Sequence, residues 1–199
     1  TDTRILGGLP GADNALSPDE VERWMNEKNA VVVDLRGQLP FGGGHIPGSL
    51  GVSFGKNLPT WAAWSVPYDR PIILVSDDPN TEIETAIRHL VRVGHVEIVG
   101  WLKGGVTSWI LSGRPTARIE QITPSQLKTK IDAGEPVRVL DVRTEGEFKG
   151  GHIDGATWIH AGFLGEKLSE LPQGEGPLAV ICGSGYRSTV AASLLQREG

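Results

Sequence analysis

Short, unbroken apolar runs punctuate the chain: VVVDLR (31–36), PIILVS (71–76), VRVLDVR (137–143) and PLAVIC (177–182). Runs of this length with polar ends read as strands buried in a sheet. Between them lie stretches that carry helix start signals. Ser17-Pro18 and Thr123-Pro124 each place a capping hydroxyl before proline, with Glu20 or Gln126 three residues beyond the cap. That is a capping box with proline at the first helical position. The pattern predicts helices over 18–28 and near 81–92, a strand over Glu97–Leu102, and a further helix opened by GGVTSW (104–109). After the run that ends on Cys182, STVAASLLQR (188–197) has alanines and leucines on one side and no breaker, so a helix follows there too.

The same landmarks occur twice in one register. Ser17-Pro18 answers Thr123-Pro124, Asp34 answers Asp141, Arg36 answers Arg143, His45 answers His152, and Ser76 answers Cys182, each pair 106 or 107 residues apart. GGHIPGS (43–49) likewise answers GGHIDGA (150–156). Chance does not hold one register across so many landmarks, so the chain is a tandem duplication of one unit. Strands alternating with helices make each unit an α/β domain, a parallel sheet flanked by helices. The domains are taken as 1–117 and 118–199, with Ala117–Gln121 as the linker. The second unit has no counterpart of EIVGWLKGGVTSWILSG and stops at Gly199, where the matching helix of the first unit ends at Gly94. It reads as C-terminally incomplete, because a parallel sheet short of one strand exposes a backbone edge.

Composition narrows the partners. The chain has 199 residues, 39% hydrophobic and 22% charged, as in ordinary soluble domains. A net charge of −5 without a basic run argues against nucleic acid and anionic membrane. No apolar stretch approaches the roughly 18 residues of a membrane span. One cysteine forms no internal disulfide, which fits a reducing, cytoplasmic setting. His89, His95 and His160 show no ligand spacing, so no metal is expected. WAAW (61–64) is read as core under a long loop.

The chemistry concentrates in CGSGYRS (182–188). A cysteine placed just before a helix start faces the positive end of the helix and its unpaired N–H groups. Gly183 and Gly185 permit the curl that turns Ser184 and neighbouring N–H groups inward, and Arg187 adds a fork of donors suited to an oxyanion. Each effect favours a thiolate and an anionic sulfur adduct. In the first unit, VSDDPNTE puts Ser76 in place of Cys182 and Thr81 in place of Arg187, with Asp77 and Asp78 in place of the glycine-serine pair. A serine hydroxyl offers no thiolate, so the first unit is read as catalytically silent. Asp141 and Arg143 recur as Asp34 and Arg36 in that silent unit, which assigns them to structural support. Glu147 is the partner expected for Arg143, and His45 and His152 are structural by the same reasoning.

The strand, the DVR and GHI-x-GA signatures and the cysteine loop, in that order, resemble a rhodanese domain, and the whole chain is similar to a tandem rhodanese from Leu16 to Gly199. The resemblance implies a sulfurtransferase. Cys182 would take sulfane sulfur from thiosulfate or a low-molecular-weight persulfide and pass it to a thiol, cyanide or sulfite, with Gly183, Ser184, Gly185, Tyr186, Arg187 and Ser188 holding the substrate. It implies no cofactor beyond the covalent persulfide on Cys182. Related phosphatases have one more residue between cysteine and arginine, so the four residues here favour sulfur over phosphate. Asp154 stands where the family usually has the proline that the first unit keeps as Pro47. The only methionine is Met25, and a silent repeat before an active one resembles the C-terminal part of fused persulfide dioxygenases. That resemblance implies an upstream metallo-β-lactamase-like domain as partner and a persulfide-handling role within a larger protein.

Overall fold

The computed structural model describes residues 8–199. In the first unit β1 (Ala15–Leu16) leads into α1 (Pro18–Lys28), followed by β2 (Val31–Asp34), α2 (Gln38–Gly43), β3 (Leu50–Gly51), α3 (Leu58–Ser65), β4 (Ile72–Val75), α4 (Pro79–Arg92), β5 (Ile98–Leu102) and α5 (Gly105–Leu111). The second unit runs α6 (Pro124–Asp132), β6 (Arg138–Asp141), α7 (Glu145–Lys149), β7 (Thr157–Trp158), two 3-10 turns (Ala161–Glu166 and Leu168–Glu170), β8 (Leu178–Ile181) and α8 (Tyr186–Glu198). Both expected capping boxes form. The Glu20 N–H donates to Ser17 Oγ at 3.3 Å while the Ser17 N–H donates to Glu20 Oε2 at 2.8 Å. Thr123 and Gln126 do the same at α6. Helix α4 opens two residues earlier than the sequence pattern suggests, because Pro79 sits in its first turn.

Every strand pairing inside the two sheets is parallel. The first sheet has the order β1-β5-β4-β2-β3 and the second the order β7-β6-β8. The second therefore repeats the β3-β2-β4 portion of the first, with Leu140↔Val180 in the position of Val33↔Leu74. β5 covers the outer edge of β4, and the four residues of β4 are all buried. Among the described residues no strand pairs with the outer edge of β8, whose four residues are only half-buried. An open groove of about 1220 Å³ runs along that side of the second unit.

The two units share one core. A single cluster of buried residues takes Leu50, Leu58 and Ala62 from the first unit and Leu140, Val142, Ile159, Leu164, Val190 and Ala191 from the second. The WAAW segment differs in part from its expected role. Trp61 is buried, but Trp64 is about half-exposed (48%) and packs across the units, edge-on to His160 and stacked near Phe163. The linker is also strapped down: Ala117 exchanges two backbone hydrogen bonds with His45, and the Gln121 amide donates to the Gln38 carbonyl. Among the described residues no helix is long and apolar enough to cross a membrane.

A shared core implies shared cooperativity. The full chain is expected to unfold in urea as one transition. Leu140→Ala, at a fully buried position, should lower its stability by about 2–5 kcal/mol without splitting it. Two separated transitions, one unmoved by the substitution, would contradict this.

Candidate active site

Strand β8 delivers Cys182 to the end of the sheet, and the chain turns at once into α8. The turn uses a left-handed residue at Gly185 (φ 86°), which caps the helix. Gly183 does not use that conformation, contrary to the expectation that both glycines would. Its role is space: a Cβ there would stand 3.3 Å from Arg187 Nη2.

This geometry aims backbone donors at the sulfur. The Gly185 N–H donates to Cys182 Sγ at 3.1 Å and the Ser188 N–H at 3.4 Å, and Ser188 Oγ lies 3.5 Å away. Burial alone pushes the thiol pKa up. The Ser188 hydroxyl and the N–H groups of Ser184, Ser188 and Gly185 oppose it, and the net result is a thiol below its ordinary value. Hydrogen bonds to an anion are about twice as strong as neutral ones, which is why several small donors outweigh partial burial.

The first unit holds the same loop with different occupants. Ser76 Oγ donates to Glu82 Oε2 at 2.5 Å, and the Asp78 N–H donates to Ser76 Oγ at 3.0 Å. Glu82 occupies the position of Ser188, six residues after the strand-end residue in each unit. A carboxylate therefore stands where the second unit offers a hydroxyl to an anionic sulfur.

Arg187 is paired with a carboxylate beside the loop. Its Nη1 and Nη2 donate to Glu147 Oε2 and Oε1 at 2.6 and 2.8 Å, a two-point ion pair. Glu147, expected to pair with Arg143, pairs with Arg187 instead. Its carboxyl is held well below the usual carboxylate range, first by that guanidinium and then by Thr144. Arg143 turns away to Asp141 (2.6 Å) and to the Gly151 carbonyl (2.8 Å). Arg36 makes the matching contacts with Asp34 (2.7 Å) and the Gly44 carbonyl (2.8 Å). In both units the pair fastens the strand end to the loop before the next strand. His45 and His152 are also matched: each Nδ1 faces the carbonyl four residues earlier, and each ring stacks on a phenylalanine.

Helix α8 is fixed to the first unit along its length. The Tyr186 hydroxyl donates to the Ser53 carbonyl at 2.9 Å, and burial pushes that phenol up. Ser193 Oγ accepts from the Gly51 N–H at 3.0 Å, and Gln196 Oε1 lies 2.9 Å from His45 Nε2. Gln38, Phe41 and Gly42 of the first unit line the groove together with Cys182, Gly183, Ser184 and Gly185. Sequence reasoning placed the cysteine loop after a strand and before a helix but missed these contributions from the first unit, because no local pattern marks them. Glu147 did leave a signal: it is the fourth residue of a T-x-x-E capping box.

Comparison with known proteins agrees with the duplication. The family model for the rhodanese-like domain matches twice, at residues 17–112 and 123–199. YrkF of Bacillus subtilis, named as a sulfur carrier protein, is 32% identical over 120 residues, which is 60% of this chain and 57% of that protein. YtwF of the same organism, named as a sulfurtransferase, is 35% identical over 81 residues, 41% of this chain and 78% of that protein. This chain thus spans little more than half of YrkF. Among solved structures, a thiosulfate sulfurtransferase from Pseudomonas aeruginosa aligns with 98% of this chain and 42% of its own, at 19% identity and a TM-score of 0.44.

A thiol held low by hydrogen bonds should react as thiolate at a lower pH than an ordinary thiol does. Alkylation of Cys182 is expected to accelerate with rising pH through a midpoint below that of an ordinary thiol. Ser188→Ala should move the midpoint upward by roughly one pH unit. A midpoint that the substitution leaves in place would refute the role given to the hydroxyl.

Proposed function

Because the chain belongs to the rhodanese-like domain family, we propose that it is a sulfurtransferase in which Cys182 carries sulfane sulfur as a persulfide. The observation that supports this best is the ring of N–H donors around Cys182 Sγ at the start of α8. Such a ring stabilises the Cys182 thiolate that attacks the donor, and the same thiolate as it leaves when the sulfur is passed on. The names of the relatives, a sulfur carrier and a sulfurtransferase, point the same way.

In the first step the Cys182 thiolate attacks the outer sulfur of a donor such as thiosulfate or a small persulfide. A sulfur–sulfur bond forms at Cys182 as the donor's own sulfur–sulfur bond breaks, and the leaving group, sulfite in the case of thiosulfate, departs with the electron pair. The negative charge stays on the new terminal sulfur. In the second step an acceptor, a thiolate, cyanide or sulfite, attacks that sulfur, and Cys182 leaves as thiolate. Neither step needs a proton relay, which agrees with the structural contacts of His45 and His152. The first unit contributes a wall of the groove and the anchor of α8 rather than chemistry.

Intact-mass measurement after brief exposure to thiosulfate or glutathione persulfide is expected to show one added sulfur atom, removable by cyanide or excess thiol. Cys182→Ser should abolish the adduct. Its persistence in that variant would overturn the assignment.

A further inference from the structure

The cations beside the reactive sulfur are already paired. Both terminal nitrogens of Arg187 are engaged by Glu147, and Arg143 is engaged by Asp141 and a carbonyl. The Glu147 contact is not a casual surface pairing. Its Oε2 also accepts from the Thr144 N–H at 3.0 Å and from Thr144 Oγ1 at 2.7 Å, so the capping box holds the carboxylate in place independently of Arg187. Gly183 supplies the opening that lets the pair lie against the loop, with Glu147 Oε1 3.8 Å from where its Cβ would be.

The charge balance around Cys182 follows. Two ion pairs contribute no net charge, and the sulfur itself is held mainly by neutral N–H donors, with Arg187 adding a contact from within its pair with Glu147. That suffices for one negative charge, on thiolate or persulfide. A dianionic donor meeting the thiolate brings three negative charges together, with a fixed carboxylate next to the one arginine that would offset them.

We propose that Glu147 is a specificity-determining residue that sets the site against dianionic sulfur donors and in favour of singly charged or uncharged ones, such as organic persulfides and thiosulfonates. The proposal rests on the reading of Cys182 as sulfur acceptor and narrows its donor class. Arg187 released from Glu147 becomes a free fork for an oxyanion; Arg187 held by Glu147 is not.

Thiosulfate and methanethiosulfonate test this directly, because they are close in shape and differ by one charge. With the second donor, the Cys182 thiolate takes the outer sulfur, the sulfur–sulfur bond of the donor breaks, and methanesulfinate leaves with the electron pair. Rate constants for sulfuration of Cys182 by each donor would be measured on the same preparations of the wild-type chain and of Glu147→Gln. Glutamine preserves the capping box, as Gln126 does at α6. Intrinsic donor reactivity and any loss of folded protein cancel when the thiosulfate-to-methanethiosulfonate ratio is compared between the two proteins. The expected result is a rise of about tenfold in that ratio for Glu147→Gln, the scale of removing one partly screened charge. An unchanged or lower ratio would overturn the role of Glu147 while leaving Cys182 chemistry intact. Failure of both donors to sulfurate the wild-type chain would overturn the underlying reading and this inference with it.

Discussion

Helix α8 serves two bodies at once, and the rest of the structure depends on that. Its first turn, with Gly185 as cap, presents N–H groups to Cys182. Its flank is buried against the silent unit, where Val190 and Ala191 enter the shared core and Ser193 accepts from Gly51. A helix end is a useful anion site only if it is held still, because the N–H groups act within a few ångströms. The second sheet offers less support than the first, since β8 is half-buried and β4 is fully buried. The first unit makes up part of that support through α8.

This accounts for why a unit without a thiol persists as folded structure. Its sheet repeats the same strand order around β2, and its Asp34–Arg36 pair repeats the geometry of Asp141–Arg143 to within 0.1 Å in the shortest contact. At the strand end that carries Ser76 or Cys182, the change lies in the loop that follows. There Ser76 donates to Glu82, so a carboxylate stands beside the hydroxyl where the second unit has Ser188 beside Cys182.

Most of the fold was legible because it is written in local patterns: capping boxes before helices, apolar runs for strands, and one register for two units. The loop after β8 was legible for the same reason, being seven consecutive residues that begin at one cysteine. The partner of Arg187 was not. Glu147 lies 40 residues away and its choice between Arg143 and Arg187 is decided by how α7 is set against the loop. Trp64 was misjudged in the same way: a half-exposed indole touching His160 and Phe163 is a contact between units that no pattern inside WAAW encodes.

The central claim is that the cradle around the sulfur, rather than the presence of a thiol at a strand end, makes the site. Ser76→Cys places a second thiol at the matching position of the silent loop, beside Glu82 instead of a serine hydroxyl. The number of sulfur atoms taken up per chain under excess donor, read by intact mass, tests the claim most directly. One sulfur atom is the predicted result; two would contradict it.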